Sequence, residues 1–306
     1  MEFEILINDT FLNVVPDTPL SPVSNKHILS LANDFEGGEW RFKKFQNFIW
    51  DNIAETSLSQ KERMSLVNHS HSLLSAAAEN LRLTDAQGDI SKGSELAEVV
   101  LYGIMKEYYK ALPVVPKIFY KQNSQDNAKG ADSVHVVIDD NDFSLWFGEA
   151  KFYNSIDDTR IAKIVESVGN SIASDKLRKE NSIITNVSDL DLLPMAEPLR
   201  QSIKNALSPK QSLDELKVRI HIPILLLHEC SITKQCIEMS QKYKDDIITY
   251  HKDRASAYFK KQIEKIGKAF KYEDLKFHII LLPVPSKKAI VDKFLGNVLH
   301  YKEQNK

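Results

Sequence analysis

Apolar residues recur along this chain at two periods, and the switches between them predict its elements. In "EWRFKKFQNFIWDNIAETSL" the residues Trp40, Phe42, Phe45, Phe48, Ile49 and Ile53 fall near helical spacing. "SQKERMSLVNHSHSLLSAAAENLRL" predicts a second helix, with Ser59 as N-cap and Glu62 three residues on. "TDAQGD" breaks the pattern, and "SKGSELAEVVLYGIMKEYYKAL" resumes it as a helix stopped by Pro113 and Pro116. The period then drops to two. "KIFYKQ" reads as a short strand, and "ADSVHVVID" and "FSLWFGEAKFY" as stronger ones. The polar turn Asp139, Asp140, Asn141 and Asp142 between those two argues for an antiparallel hairpin.

"SIDDTRIAKIVESVGNSIAS" predicts a helix capped by Ser155. "VRIHIPILLLHE" and "FHIILLPVP" are apolar enough for strands buried on both faces. One long or two shorter basic helices, from about Lys234 to Phe270, separate them, and "SKKAIVDKFLGNVLHYK" closes the chain as a helix. The first 35 residues, with Pro16, Pro19 and Pro22, suggest a strand or two and a loop. The expected class is α/β, a mixed central sheet flanked by helices. Residues 1–90 form a mainly helical cap that carries no assignable motif, and residues 91–306 form the main domain.

Composition adds limits. At 42% hydrophobic and 27% charged residues the chain is in the globular range. No run of 18 apolar residues suggests a membrane span. The start "MEFEILINDTFLNVVP" carries acids where a secretory leader needs a basic segment, so a cytoplasmic location is expected. Cys230 and Cys236 are poorly spaced for zinc or redox work, which fits a reducing compartment. The net charge of −2 is unevenly spread. Residues 1–200 hold 20 Lys and Arg against 30 Asp and Glu, whereas residues 201–306 hold 20 against 12. A basic C-terminal third can follow a phosphate backbone, or be no more than a solvated helical surface.

Within the apolar "WFGEAKFY" sit Glu149 and Lys151. Residues two apart on a strand share a face, so these opposite charges project side by side. A buried charge is costly unless paired or bound to a metal. A structural ion pair is one answer; a metal site with a neighbouring cation is the other. The hairpin favours the second, because Asp132 and Glu149 fall at matching distances from the turn. Two carboxylates meeting there raise each other's pKa, and a divalent cation removes the repulsion. Mg²⁺ suits a few carboxylate oxygens with substrate phosphate, and Mn²⁺ is expected to substitute. Lys151 would then offset charge on the transferred group. A third carboxylate is available from Glu98 or Glu95, which lie three apart on one side of the preceding helix. Gly93 at that helix's start would let a phosphate approach.

A helix Glu, then an Asp, then Glu-x-Lys on adjacent strands resembles the PD-(D/E)XK nuclease superfamily. Further, "GSELAEVVLY", "KGADSVHV", "LWFGEAKFY" and "RIHIPILLLHE" are similar to the nuclease domain of the HamA family, effectors of the bacterial Hachiman anti-phage system, over roughly residues 90–300. The resemblance implies a restriction-endonuclease-like fold and Mg²⁺-dependent hydrolysis of DNA. It also implies a HamB-like helicase partner that restrains cleavage. It assigns metal binding to Asp132, Glu149 and Glu98, with Glu95 as the alternative helix acid, and catalysis to Asp132, Glu149, Lys151 and Glu98. Ala131 stands where the superfamily's name has Pro. Lys121 and Lys129 are candidates for DNA contact. No P-loop or Gly-rich dinucleotide turn is visible, so no nucleotide cofactor is expected on this chain.

The remaining candidates have bland readings. His135 faces away from Asp132 on an alternating strand. His69 and His71 are two apart on a predicted helix and do not face each other. His228 and Glu229 end a buried strand. Asp139, Asp140 and Asp142 lack calcium-loop spacing. Tyr153 stacks on a base or packs in the core. The main expectation is a metal-dependent deoxyribonuclease. A non-catalytic DNA- or helicase-binding adaptor is the competing class, and an RNA-cutting enzyme with the same site is a third.

Overall fold

Among the described residues, alternation and continuous apolar runs together produce nine strands: β1 (Glu4–Thr10), β2 (Lys26–Ala32), β3 (Phe35–Glu36), β4 (Glu39–Trp40), β5 (Leu112–Val115), β6 (Ser133–Asp139), β7 (Asp142–Tyr153), β8 (Ile220–Glu229) and β9 (Lys276–Val284). They belong to a computed structural model that describes residues 3–81, 93–118, 131–140, 142–186, 189–208 and 210–304. Lys121 and Lys129 lie outside the described residues. β3 and β4 form a small ribbon, and the others form one sheet in the order β1-β2-β9-β8-β7-β6-β5. β2, β9, β8 and β7 run parallel, while β1, β6 and β5 are antiparallel to their neighbours. The parallel centre explains why β8 and β9 are apolar almost throughout: both faces are covered. The class is mixed α/β, as expected.

Each face has its own core. Phe143, Leu145 and Phe147 of β7 pack with Ile161, Ile164 and Val168 of the Asp158–Ser171 helix. Leu177 of the Ser174–Asn186 helix and Tyr258 and Phe259 of the Gln241–Ile266 helix join them. On the opposite face Trp146, Ala150 and Phe152 meet the Phe42–Ser57, Ser94–Tyr108 and Lys287–Glu303 helices. There, a Cβ on Gly103 would come within 2.4 Å of Phe48, so this glycine sets how closely the first two of those helices approach.

Residues 1–90 contribute more than helices. β1 and β2 continue the central sheet, with β2 pairing β9 from Lys26–Phe277 to Ser30–Leu281. Several local expectations shift. The stretch after Ser59 splits into Gln60–Ser65 and Ser70–Glu79, broken where Asn68 has φ 68°. The capping box of Ser59 and Glu62 is present. The described strand after the Ser94–Tyr108 helix is "LPVV"; most of "KIFYKQ" lies outside the described residues. Its Pro113 is tolerated because β5 is an edge strand with one neighbour. The Asp158–Ser171 helix is capped by Asp157, whose carboxylate accepts the Arg160 N–H at 3.0 Å; Ser155 instead donates to Asp157. The basic region resolves into one 26-residue helix, Gln241–Ile266.

Candidate active site

The hairpin of β6 and β7 builds the site. Asp139 pairs with Asp142 across a tight turn, and the register runs to Ser133 opposite Gly148. One rung further, the Asp132 N–H donates to the Gly148 carbonyl at 2.7 Å, which sets Asp132 opposite Glu149. Gly148 lies on the other face, where an added Cβ would fall 2.2 Å from Ser133 Oγ and 2.7 Å from Leu101. Only glycine lets the Ser94–Tyr108 helix lie this close to the strand before Glu149.

Lys151 Nζ lies 3.3 Å from Asp132 Oδ2 and 2.5 Å from Glu149 Oε1. These distances hold the two carboxylate oxygens within about 6 Å of each other, a gap that one or two ions with about 2.1 Å contacts span. Asp132 Oδ2 also accepts the Ala150 N–H at 3.0 Å, and Glu149 Oε1 accepts the Ser167 hydroxyl. Glu149 is 4% exposed. Burial raises its pKa, and the Asp132 charge raises it further; Lys151 and Ser167 pull the other way. Burial opposes the charge on Lys151, but the two carboxylates outweigh it and push that ammonium above its usual range. Among the described residues the cluster thus brings two carboxylates to one ammonium. Its donors are hard carboxylate oxygens, which suit a small divalent cation that keeps water and phosphate ligands.

Glu98 and Glu95 do not join this group. They belong to the Ser94–Tyr108 helix, which packs on the opposite face of the sheet from Glu149 and Lys151. Glu98 is buried beside Tyr102, whose pKa is raised by burial and further by the Glu98 charge. Among the described residues no three His, Cys, Asp or Glu gather closely enough to hold a metal. The described carboxylate pair is therefore Asp132 and Glu149.

The lesser candidates occupy ordinary places. His135 is buried against Tyr102, ring centroids 4.4 Å apart, and burial holds its pKa down at about 3. His69 caps a helix, and His71 meets Gln304 at 2.5 Å. His228 is buried and contacts His251 at 3.1 Å, which in turn meets Ser30 at 2.6 Å. Glu229 accepts the Lys287 N–H at 2.9 Å. Tyr153 is a packed aromatic under the Arg160 guanidinium, 5.3 Å from the ring centroid. Both cysteines are free thiols. No described helix is long and apolar enough to cross a membrane.

Ser167 and Glu180 are partners that the sequence reading missed. Each is a polar residue on an apolar helical stripe: Ser167 beside Ile164 and Val168, Glu180 between Leu177 and Ile184. That signal was present in the sequence, but it does not say which strand such a residue meets. Two comparisons bear on identity. No curated protein matches the chain. A family model described as HamA matches residues 6–298 of its 306.

Proposed function

Since the chain belongs to the HamA family, we propose that it is a divalent-metal-dependent deoxyribonuclease of PD-(D/E)XK type, acting as the effector of a Hachiman anti-phage complex with a helicase partner. The observation that carries this reading is the contact of one ammonium, Lys151, with two facing carboxylates, Asp132 and Glu149.

Asp132 and Glu149 would hold Mg²⁺ or Mn²⁺. The cation would supply Lewis-acid polarisation of the phosphate and activation of water. The chain does the rest by placement. The Ala150 N–H aims the Asp132 carboxylate, and Ser167 aims Glu149. Lys151, held protonated beside both carboxylates, would stabilise the charge that grows on a phosphoryl oxygen, as a cation fixed in advance does without reorganising. The Gln241–Ile266 helix, rich in Lys, covers the same face of the sheet and can guide the DNA backbone. Lys121 and Lys129 remain candidates for phosphate contact.

The test is digestion of plasmid, linear and single-stranded DNA, and of RNA, in Mg²⁺ or Mn²⁺ against EDTA, with and without the helicase. Metal-dependent DNA cutting that is lost in both Glu149→Ala and Lys151→Ala supports the enzyme. DNA or helicase binding with no cleavage under any of these conditions supports the adaptor. Cutting of RNA alone replaces the substrate class.

A further inference from the structure

The strand start that carries Asp132 is held by an ion pair buried in the protein interior. Lys117 Nζ and Glu180 Oε2 are 2.6 Å apart, with side chains 0% and 2% exposed. The second oxygen of the same carboxylate, Glu180 Oε1, accepts the Ala131 N–H at 3.0 Å. Lys117 is itself anchored, since its N–H donates to the Tyr102 hydroxyl at 3.4 Å. One carboxylate on the Ser174–Asn186 helix thus fixes Lys117 on one side of residues 119–130 and Ala131 on the other.

Stability alone is a poor reason for such a pair. Desolvating two charges offsets most of their attraction, and well-packed apolar residues of similar volume are often as stable. What an apolar side chain cannot do is accept the Ala131 N–H. A proline at position 131 would lock φ and offer no N–H; with alanine there, the backbone before Asp132 is fixed from outside.

We propose that Glu180 is a positioning residue of the candidate site: with its charge balanced by Lys117, it holds Ala131 and thereby sets Asp132 opposite Glu149. The inference rests on the reading of Asp132 and Glu149 as metal-binding, and it deepens that reading.

The experiment compares the parent with the double variant Lys117→Met/Glu180→Leu and with Glu180→Gln. The first removes both charges at similar volume, and the second keeps the shape and an acceptor oxygen. Two readouts are taken on the full chain without DNA: Mn²⁺ uptake by electron paramagnetic resonance, and amide exchange of Ala131 and Ala150. Loss of a group that orients a ligand typically weakens metal binding about 10–100-fold. The expected result is that the folded double variant loses protection at both amides and binds Mn²⁺ weaker by about that factor. Glu180→Gln keeps an acceptor for Ala131 but leaves the buried Lys117 ammonium without its counter-charge, so both readouts are expected to fall between the parent and the double variant; it decides the matter if the double variant does not fold, and parental values of both readouts in a folded variant overturn the inference. In either variant the readouts must move together; weaker Mn²⁺ binding with Ala131 still protected, or exposed Ala131 with parental binding, overturns the inference. A parent that takes up no Mn²⁺ removes the metal reading instead. Positioning of Asp132 is then decided by the Ala150 amide, which donates to it.

Discussion

The Asp132 carboxylate accepts the N–H of Ala150, the one residue that separates Glu149 from Lys151, at 3.0 Å. The two arms of the hairpin are thus joined at the candidate site by a side chain as well as by the ladder. Lys151 closes the group by touching both acids, and a cation entering it must compete with that ammonium.

From this competition comes the first expectation. Lys151→Met removes the resident positive charge but leaves both carboxylates. Mn²⁺ uptake should be retained or tightened, while DNA cleavage falls by about 100-fold or more, the scale of losing one preorganised electrostatic group. Glu149→Gln should lose both. Parental cleavage in Lys151→Met would exclude the role assigned to the lysine.

The pH dependence has a definite sign. Because burial and Asp132 raise the Glu149 pKa, its proton is retained to higher pH than that of an ordinary glutamate. Metal binding needs the carboxylate, so uptake should fall on acidification and begin falling above the usual carboxylate range. Ser167 pulls that pKa down by hydrogen bonding to the charged form. Ser167→Ala should therefore move the midpoint of Mn²⁺ uptake to higher pH. A midpoint that stays fixed or moves down counts against the assignment.

Buried histidines govern acid stability. Burial lowers His135 to about 3 and His228 to about 4, and it also lowers His251. Below the unfolded value of about 6.5 the unfolded chain takes up protons that the folded chain refuses. Folding stability is then complete above that value and is lost as pH falls toward the folded values. The slope is about 1 kcal/mol per pH unit for each such group. Urea midpoints between pH 7 and 4 should fall accordingly, and His135→Phe should flatten the slope. An equal slope in that variant rejects the account.

Gly103 offers a packing test away from the site. Its missing Cβ leaves room for Phe48 and Asn52, so Gly103→Ala overpacks the contact between two helices. A loss of about 1–3 kcal/mol is expected from denaturant unfolding. Mn²⁺ uptake should be near parental, because this core lies on the other side of the sheet from Glu149.

The sequence by itself determined the elements and the hairpin that matters. Alternation made β6 and β7, the acidic turn fixed their register, and that register directs Asp132 toward Glu149 and puts Lys151 on the same face. Such relations are local: they depend on the period of a strand and on residues fewer than 25 apart. Only the tertiary structure decided which helix covers which face. It set Glu98 and Glu95 beneath the opposite side of the sheet, brought Ser167 to Glu149 and turned Glu180 toward Ala131. It also added β1 and β2 to the far edge through pairing with β9, some 250 residues away in sequence. A helical stripe shows that a residue is buried, but two faces of one sheet bury apolar stripes equally well. The choice between them belongs to packing across the whole chain, and no local pattern records it.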